Sequence, residues 1–94
     1  MTLDDVRRRL PDVPGWDLEG EEIRRKLTFA DFREAIAFVV RLAFEAEAAD
    51  HHPDILISYK RVTLSYSTHS AGGLTEKDFA GAATASALAA RLGA

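Results

Sequence analysis

Residues 50–70 read DHHPDILISYKRVTLSYSTHS. Apolar side chains recur there at every second position, first Ile55, Ile57 and Tyr59, then Val62, Leu64 and Tyr66 between Thr63, Ser65 and Ser67. Successive side chains of a strand point to opposite faces, so this alternation predicts two strands, each with one face buried. The joint at residues 58–61 is short enough for a hairpin, although it lacks the Asn-Gly or Asp-Gly that favours a tight turn. A hairpin returns its end to its beginning. His69 is therefore predicted to approach the His51–His52 loop.

Working outward, Ile23, Leu27 and Phe29 alternate with Arg24, Lys26 and Thr28, which predicts another strand, with Arg25 on its apolar face. Trp16 opens a short extended segment after the Pro14-Gly15 breaker, and residues 2–10 predict a short helix stopped by Pro11. Asp31 followed by Glu34 resembles a capping box and starts a helix over residues 31–49. Its core positions are predicted at Phe32, Ile36, Val39, Val40 and Ala43. Phe38, Leu42 and Phe44 widen that stripe beyond what one sheet covers and suggest a subunit contact. Thr75 with Asp78 forms a second capping box, opening a helix through Leu88 with Phe79, Ala82, Ala83 and Ser86 on one side. Trp16 and the phenylalanines are expected in the core. The order of elements fits an α+β fold: a four-stranded antiparallel sheet, two main helices on one face, and a short N-terminal helix. One domain spans residues 1–94.

The composition narrows the function classes. The chain has 94 residues, is 47% hydrophobic and carries a formal charge of −3. That balance argues against nucleic acid as a direct partner, and the basic run Arg7-Arg8-Arg9 reads as a solvated helix face. There is no cysteine, so no disulfide framework or thiolate metal site. The apolar stretch 35–43 is interrupted by Arg41 and too short for a bilayer, and the acidic start at Asp4-Asp5 is unlike a secretory signal. The expectation is a cytoplasmic protein without membrane contact.

All three histidines lie in residues 50–54 and 67–70, beside Glu47, Asp50 and Asp54. Imidazole gives and takes protons near neutral pH, and a nearby carboxylate favours its charged form and fixes its orientation. Three rings gathered at one sheet edge would form an acid–base pocket. Three plainer readings compete: untasked surface histidines, a His–carboxylate metal site, or a helix stop followed by a turn. Adjacent histidines suit one ion poorly, and no His-x-His or His-Glu-x-x-His spacing is present. Ser67 and Ser70 lack a nucleophile-elbow pattern, and Gly72-Gly73 before a helix reads as a structural turn.

At these residues the chain resembles the pterin-4a-carbinolamine dehydratases, small enzymes that in animals also serve as dimerisation cofactor of a homeodomain transcription factor. The matching residues are Glu47, Asp50-His51-His52-Pro53-Asp54, Tyr59, Arg61-Val62, Ser67-Thr68-His69, and Gly73-Leu74-Thr75 with Asp78. Gly15-Trp16 and Phe29-Ala30-Asp31-Phe32 match as well. Lys60 departs from the usual Asn, and Ile55 replaces an aromatic of animal members. The resemblance implies dehydration of a 4a-hydroxytetrahydropterin to the quinonoid dihydropterin, serving tetrahydropterin recycling, with no metal or other cofactor. His51 and His69 would protonate the leaving hydroxyl, His52 would orient the pterin or act as base, and Glu47 would set a histidine's charge or tautomer. Asp50, Ser67, Thr68 and Ser70, with the histidines themselves, would contact the pterin's polar edge. A homodimer or homotetramer is expected. The alternative is a non-catalytic partner-binding module, such as a transcriptional cofactor, on the same fold.

Overall fold

The computed structural model of the chain describes residues 1–94. A short helix α1 (Leu3–Arg9) runs into a 3₁₀ turn at Leu10–Asp12, and β1 (Asp17–Glu19) and β2 (Glu22–Thr28) follow. Helix α2 (Phe32–Ala49), strands β3 (Asp54–Ser58) and β4 (Arg61–Tyr66), a second 3₁₀ turn at His69–Ala71, and helix α3 (Glu76–Arg91) complete the order. The strands form one antiparallel sheet in the order β1-β2-β4-β3. This is the α+β architecture expected from the alternation and capping signals.

Register fixes which side chains share a face. Ile23 pairs with Tyr66, Arg25 with Leu64 and Leu27 with Val62, so the apolar residues of β2 and β4 point to one side, where the helices cover them. Arg24, Lys26, Thr63 and Ser65 point to the other, as expected of an antiparallel sheet with one solvated face. Arg25 does lie on the inner face. Its stem follows Gly15 and its guanidinium donates to Ser86 Oγ, which also accepts from Trp16 Nε1 at 2.8 Å. The polar head of each long side chain thus finds an acceptor at the border of the core.

Both main helices start where their caps predict. The Asp31 side chain accepts from the Glu34 N–H, and this bond, with Arg33 nearby, holds its carboxyl below the usual carboxylate range. Thr75 and Asp78 form the complete capping box, and α3 continues past Leu88 to Arg91. Helix α1 has a capping box of its own, Thr2 with Asp5.

The phase of α2 differs from the expectation. Its inward stripe is Ala35, Phe38, Leu42 and Ala46, whereas Phe32, Val40, Ala43 and Phe44 are exposed and Ile36 and Val39 half-buried. The helix is apolar nearly all round, so hydrophobicity alone does not fix its rotation. Ala35, Phe38 and Leu42 are the α2 residues that join the core cluster, and their packing there decides the inward side. On α3, likewise, the buried line is Phe79, Ala82, Ala85, Leu88 and Ala89; Ala83 is exposed. Tyr59 belongs to the turn rather than to a strand, at φ +55°, in the left-handed region that non-glycine residues seldom enter. All of β3 is exposed, because it is the sheet edge and no helix covers it. The buried side chains form one core cluster of 18 residues that includes Trp16, Phe29, Phe38 and Phe79. No helix is long and apolar enough to cross a membrane.

Candidate active site

Helix α2 ends in a tight reversal that delivers the first histidine. Asp50 takes the left-handed conformation at φ +50°, and the Asp50 and His51 N–H groups donate to the Glu47 and Ala46 carbonyls. This is a Schellman ending with Asp where glycine is usual. His51 therefore leaves the helix at a fixed angle, turned toward the start of α3.

There its Nε2 meets Asp78 Oδ1 at 2.6 Å. Asp78 is fully buried, the only charged residue of the chain that is. Burying a carboxylate is costly unless donors surround it, and three do. Its Oδ2 accepts from Thr68 Oγ1 at 2.8 Å and from the Thr75 N–H at 2.9 Å, while Oδ1 takes His51. The Thr75 hydroxyl lies 2.9 Å from that of Thr68 and extends the chain of hydroxyls. Asp78 thus ties the segment carrying His51 to the segment carrying His69.

Tyr66, the last residue of β4, lies against the other side of this pair. Its ring stacks on His51 with centroids 5.8 Å apart. Burial, reinforced by the charge of Asp78, pushes the Tyr66 hydroxyl up to about 12. It is a neutral hydrogen-bond donor at any working pH. Room for the ring comes from Gly81 in the middle of α3, where a Cβ would stand 2.5 Å from Tyr66 Cε1. Glycine in a helix interior costs about 0.5–1 kcal/mol relative to alanine, and the close approach of Tyr66 accounts for it here.

The other histidines are more open. His52 is exposed, and its Nε2 lies 2.6 Å from Glu47 Oε1 on the last turn of α2. His69 opens the second 3₁₀ turn, its Nε2 3.3 Å from Ser67 Oγ. The pairing of Asp54 with Ser65 sets residues 50–53 and 66–70 at the same end of the sheet, as the hairpin predicted. The three rings nevertheless face different surroundings. A cavity of about 370 Å³ between α2 and α3 is lined by His51 but by neither His52 nor His69. His69 lines a separate cavity of about 190 Å³ with Ser67, Gly72, Gly73 and the glutamates of the β1–β2 turn. Asp50 and Ser70 are exposed beside these histidines, and no three His, Asp or Glu side chains converge as metal ligands would.

Asp78, Thr75 and Tyr66 are the parts of the site that the residue pattern did not reveal. Asp78 was legible as the third helical residue of a capping box. Such a box uses one carboxylate oxygen and leaves the second for another partner, and the family resemblance included Thr75 and Asp78 without giving either a role.

The sequence profile of the family described as Pterin 4 alpha carbinolamine dehydratase matches residues 1–88. The chain belongs to this family. A relative from Acidobacterium capsulatum is 50% identical over 94% of this chain and 96% of its own length. Another, from Roseiflexus sp. (strain RS-1), is 56% identical over 80% of this chain and 81% of its own. Both carry a provisional pterin-4-alpha-carbinolamine dehydratase name. The crystal structure of a transcriptional coactivator/pterin dehydratase from Brucella melitensis superposes with a TM-score of 0.90 at 36% identity, covering 95% of this chain and 97% of that one. A pterin dehydratase-like protein identified as a RuBisCO assembly factor in the alpha-carboxysome shares the fold at 24% identity and a TM-score of 0.65, covering 79% and 86%.

Proposed function

We propose that the chain dehydrates 4a-hydroxytetrahydropterin to the quinonoid dihydropterin in tetrahydropterin recycling, using its histidines as general acids and base. The observation that carries this reading is the His51–Asp78 pair. A buried carboxylate that fixes one imidazole and is itself saturated by Thr68 and Thr75 suits a proton donor better than a structural contact.

In this reading an imidazolium, His51 or His69, gives its proton to the hydroxyl on C4a. The C–O bond breaks, water departs, and a neutral base takes the proton of the adjacent ring nitrogen as the carbon–nitrogen double bond forms. His52 orients the pterin or acts as that base, with Glu47 setting its orientation from 2.6 Å. Asp50, Ser67 and Ser70 meet the polar edge of the pterin, and Thr68 acts from behind, through Asp78. Each well-placed acid or base contributes on the order of 10²–10⁴-fold in rate.

Stopped-flow measurement with chemically generated 4a-hydroxytetrahydropterin tests the proposal. The chain should accelerate water loss, and His51→Ala and His69→Ala should each lower turnover at least about tenfold with the fold intact. Unchanged rates would remove those residues from the mechanism. No acceleration by the parent chain would favour the partner-binding alternative.

The same reading makes the protein cytoplasmic and a homodimer or homotetramer. The exposed Ile55, Leu56 and Ile57 of β3 lie on an unpaired edge, and Phe32, Val40 and Phe44 of α2 face outward. Light scattering on the eluting peak should give a mass of two or four chains; a monomer contradicts this part of the proposal.

A further inference from the structure

The cavity between α2 and α3 contains a feature that the dehydratase reading does not use. Leu42, Ala46 and Ala49 from α2 and Ala80 and Gly81 from α3 wall it, with Tyr66 beneath. A groove walled by small residues is no site by itself. Tyr66, however, is 2% exposed, and its hydroxyl bonds to nothing in the protein. No fully buried polar side-chain atom lacks a partner, so that hydroxyl opens onto the cavity it lines. The contact of Gly81 with the Cζ end of the ring places it against α3.

The charged lining residues indicate what would meet it. They are Glu45 and Lys77, with the His51 ring, whose Nε2 is held by Asp78, beside them. Glu45 is already engaged by Arg41 at 3.1 Å, whereas Lys77 pairs with no carboxylate. The groove therefore offers two free donors, a phenol and an ammonium, and its carboxylate is occupied. Its volume of about 370 Å³ is in the range of small-molecule sites.

We infer that the α2–α3 groove, which meets the histidine edge at His51 but does not reach His52 or His69, is a second ligand site for a small aromatic carboxylate. The flat ring lies between the alanine walls, the carboxylate reaches Lys77, and the Tyr66 hydroxyl donates to the ligand. Because Tyr66 stacks on His51, an occupant would lie directly behind that imidazole.

Amide chemical shifts of the isotope-labelled full chain, titrated with phenylacetate and with neutral phenylacetamide, test this. Phenylacetate should give saturable shifts at Ala46, Ala49, Ala80 and Gly81, and bind about fivefold or more tighter than the amide. Lys77→Gln, a change at an exposed position, should abolish that preference. Tyr66→Phe should weaken both probes by about threefold. Adding 7,8-dihydropterin should leave the phenylacetate shifts at Gly81 in place. The inference is overturned if no saturable shift appears, if the shifts fall at Gly72 and Gly73, if Lys77→Gln keeps the preference, or if the pterin displaces phenylacetate. Binding is read directly, so an inactive dehydratase would leave the result interpretable.

Discussion

His51 keeps 12% of its side chain exposed and bonds a carboxylate that keeps none, whereas His52, one residue on, keeps 53% and bonds Glu47 at 78%. Both pairs measure 2.6 Å. The difference lies in what surrounds them. Water competes for the His52 pair and screens it, so it contributes little to stability and the ring can reorient. The His51 pair has Tyr66 on one side and Thr68 and Thr75 behind, so the ring holds one position. Removing a carboxylate from each pair should expose the contrast most strongly. Asp78→Asn should destabilise the fold by roughly 3–5 kcal/mol, because it turns an acceptor facing three donors into a group that itself donates. Glu47→Gln should cost less than about 1 kcal/mol. Urea unfolding of the two variants measures both, and equal losses would break the comparison.

A smaller effect should follow from Gly81→Ala. The added methyl meets Tyr66 Cε1 at 2.5 Å and Cζ at 2.7 Å, so the ring must move. Overpacking of this kind costs about 1–3 kcal/mol, against 0.5–1 kcal/mol gained from helix propensity. Imidazole proton resonances sharpen the point. Those of His51 should shift with the displaced Tyr66, and those of His52 and His69 should stay. Movement of all three would mean that the two halves of the site are mechanically one.

The contrast was only partly visible in the sequence. Strand alternation in residues 54–66 and the caps at Asp31 and Thr75 are local signals with a direct backbone cause, and they gave the order of elements and the sheet. The clustering of histidines, joined to the family resemblance, pointed to the end of the sheet where the structure brings residues 50–53 and 66–70 together. Which histidine is buried was not legible, because it depends on how α3 lies against the sheet and the end of α2, where Gly81 lets the helix approach the Tyr66 ring and Asp78 meets His51. The rotation of α2 escaped for a related reason. Phe32, Val40 and Phe44 are as apolar as Phe38 and Leu42, and only contact with the sheet distinguishes them.

Alkaline pH should separate the two regions once more, through Tyr66. The Tyr66 hydroxyl ionises near 10 in the unfolded chain and at about 12 in the folded one. Below pH 10 both states hold the proton, and this group adds no pH dependence. Between pH 10 and about 12 the unfolded state releases the proton while the folded state keeps it, so stability falls as pH rises. The loss should total roughly 3 kcal/mol once the folded pKa is passed, at up to about 1.4 kcal/mol per pH unit. Tyr66→Phe should remove this component from a series of unfolding curves between pH 9 and pH 12, leaving a shallower dependence. If instead the Tyr66 variant retains the full alkaline slope, then the ring beside His51 and Asp78 is accessible to water, and the division between a fixed and an adjustable histidine loses its physical cause.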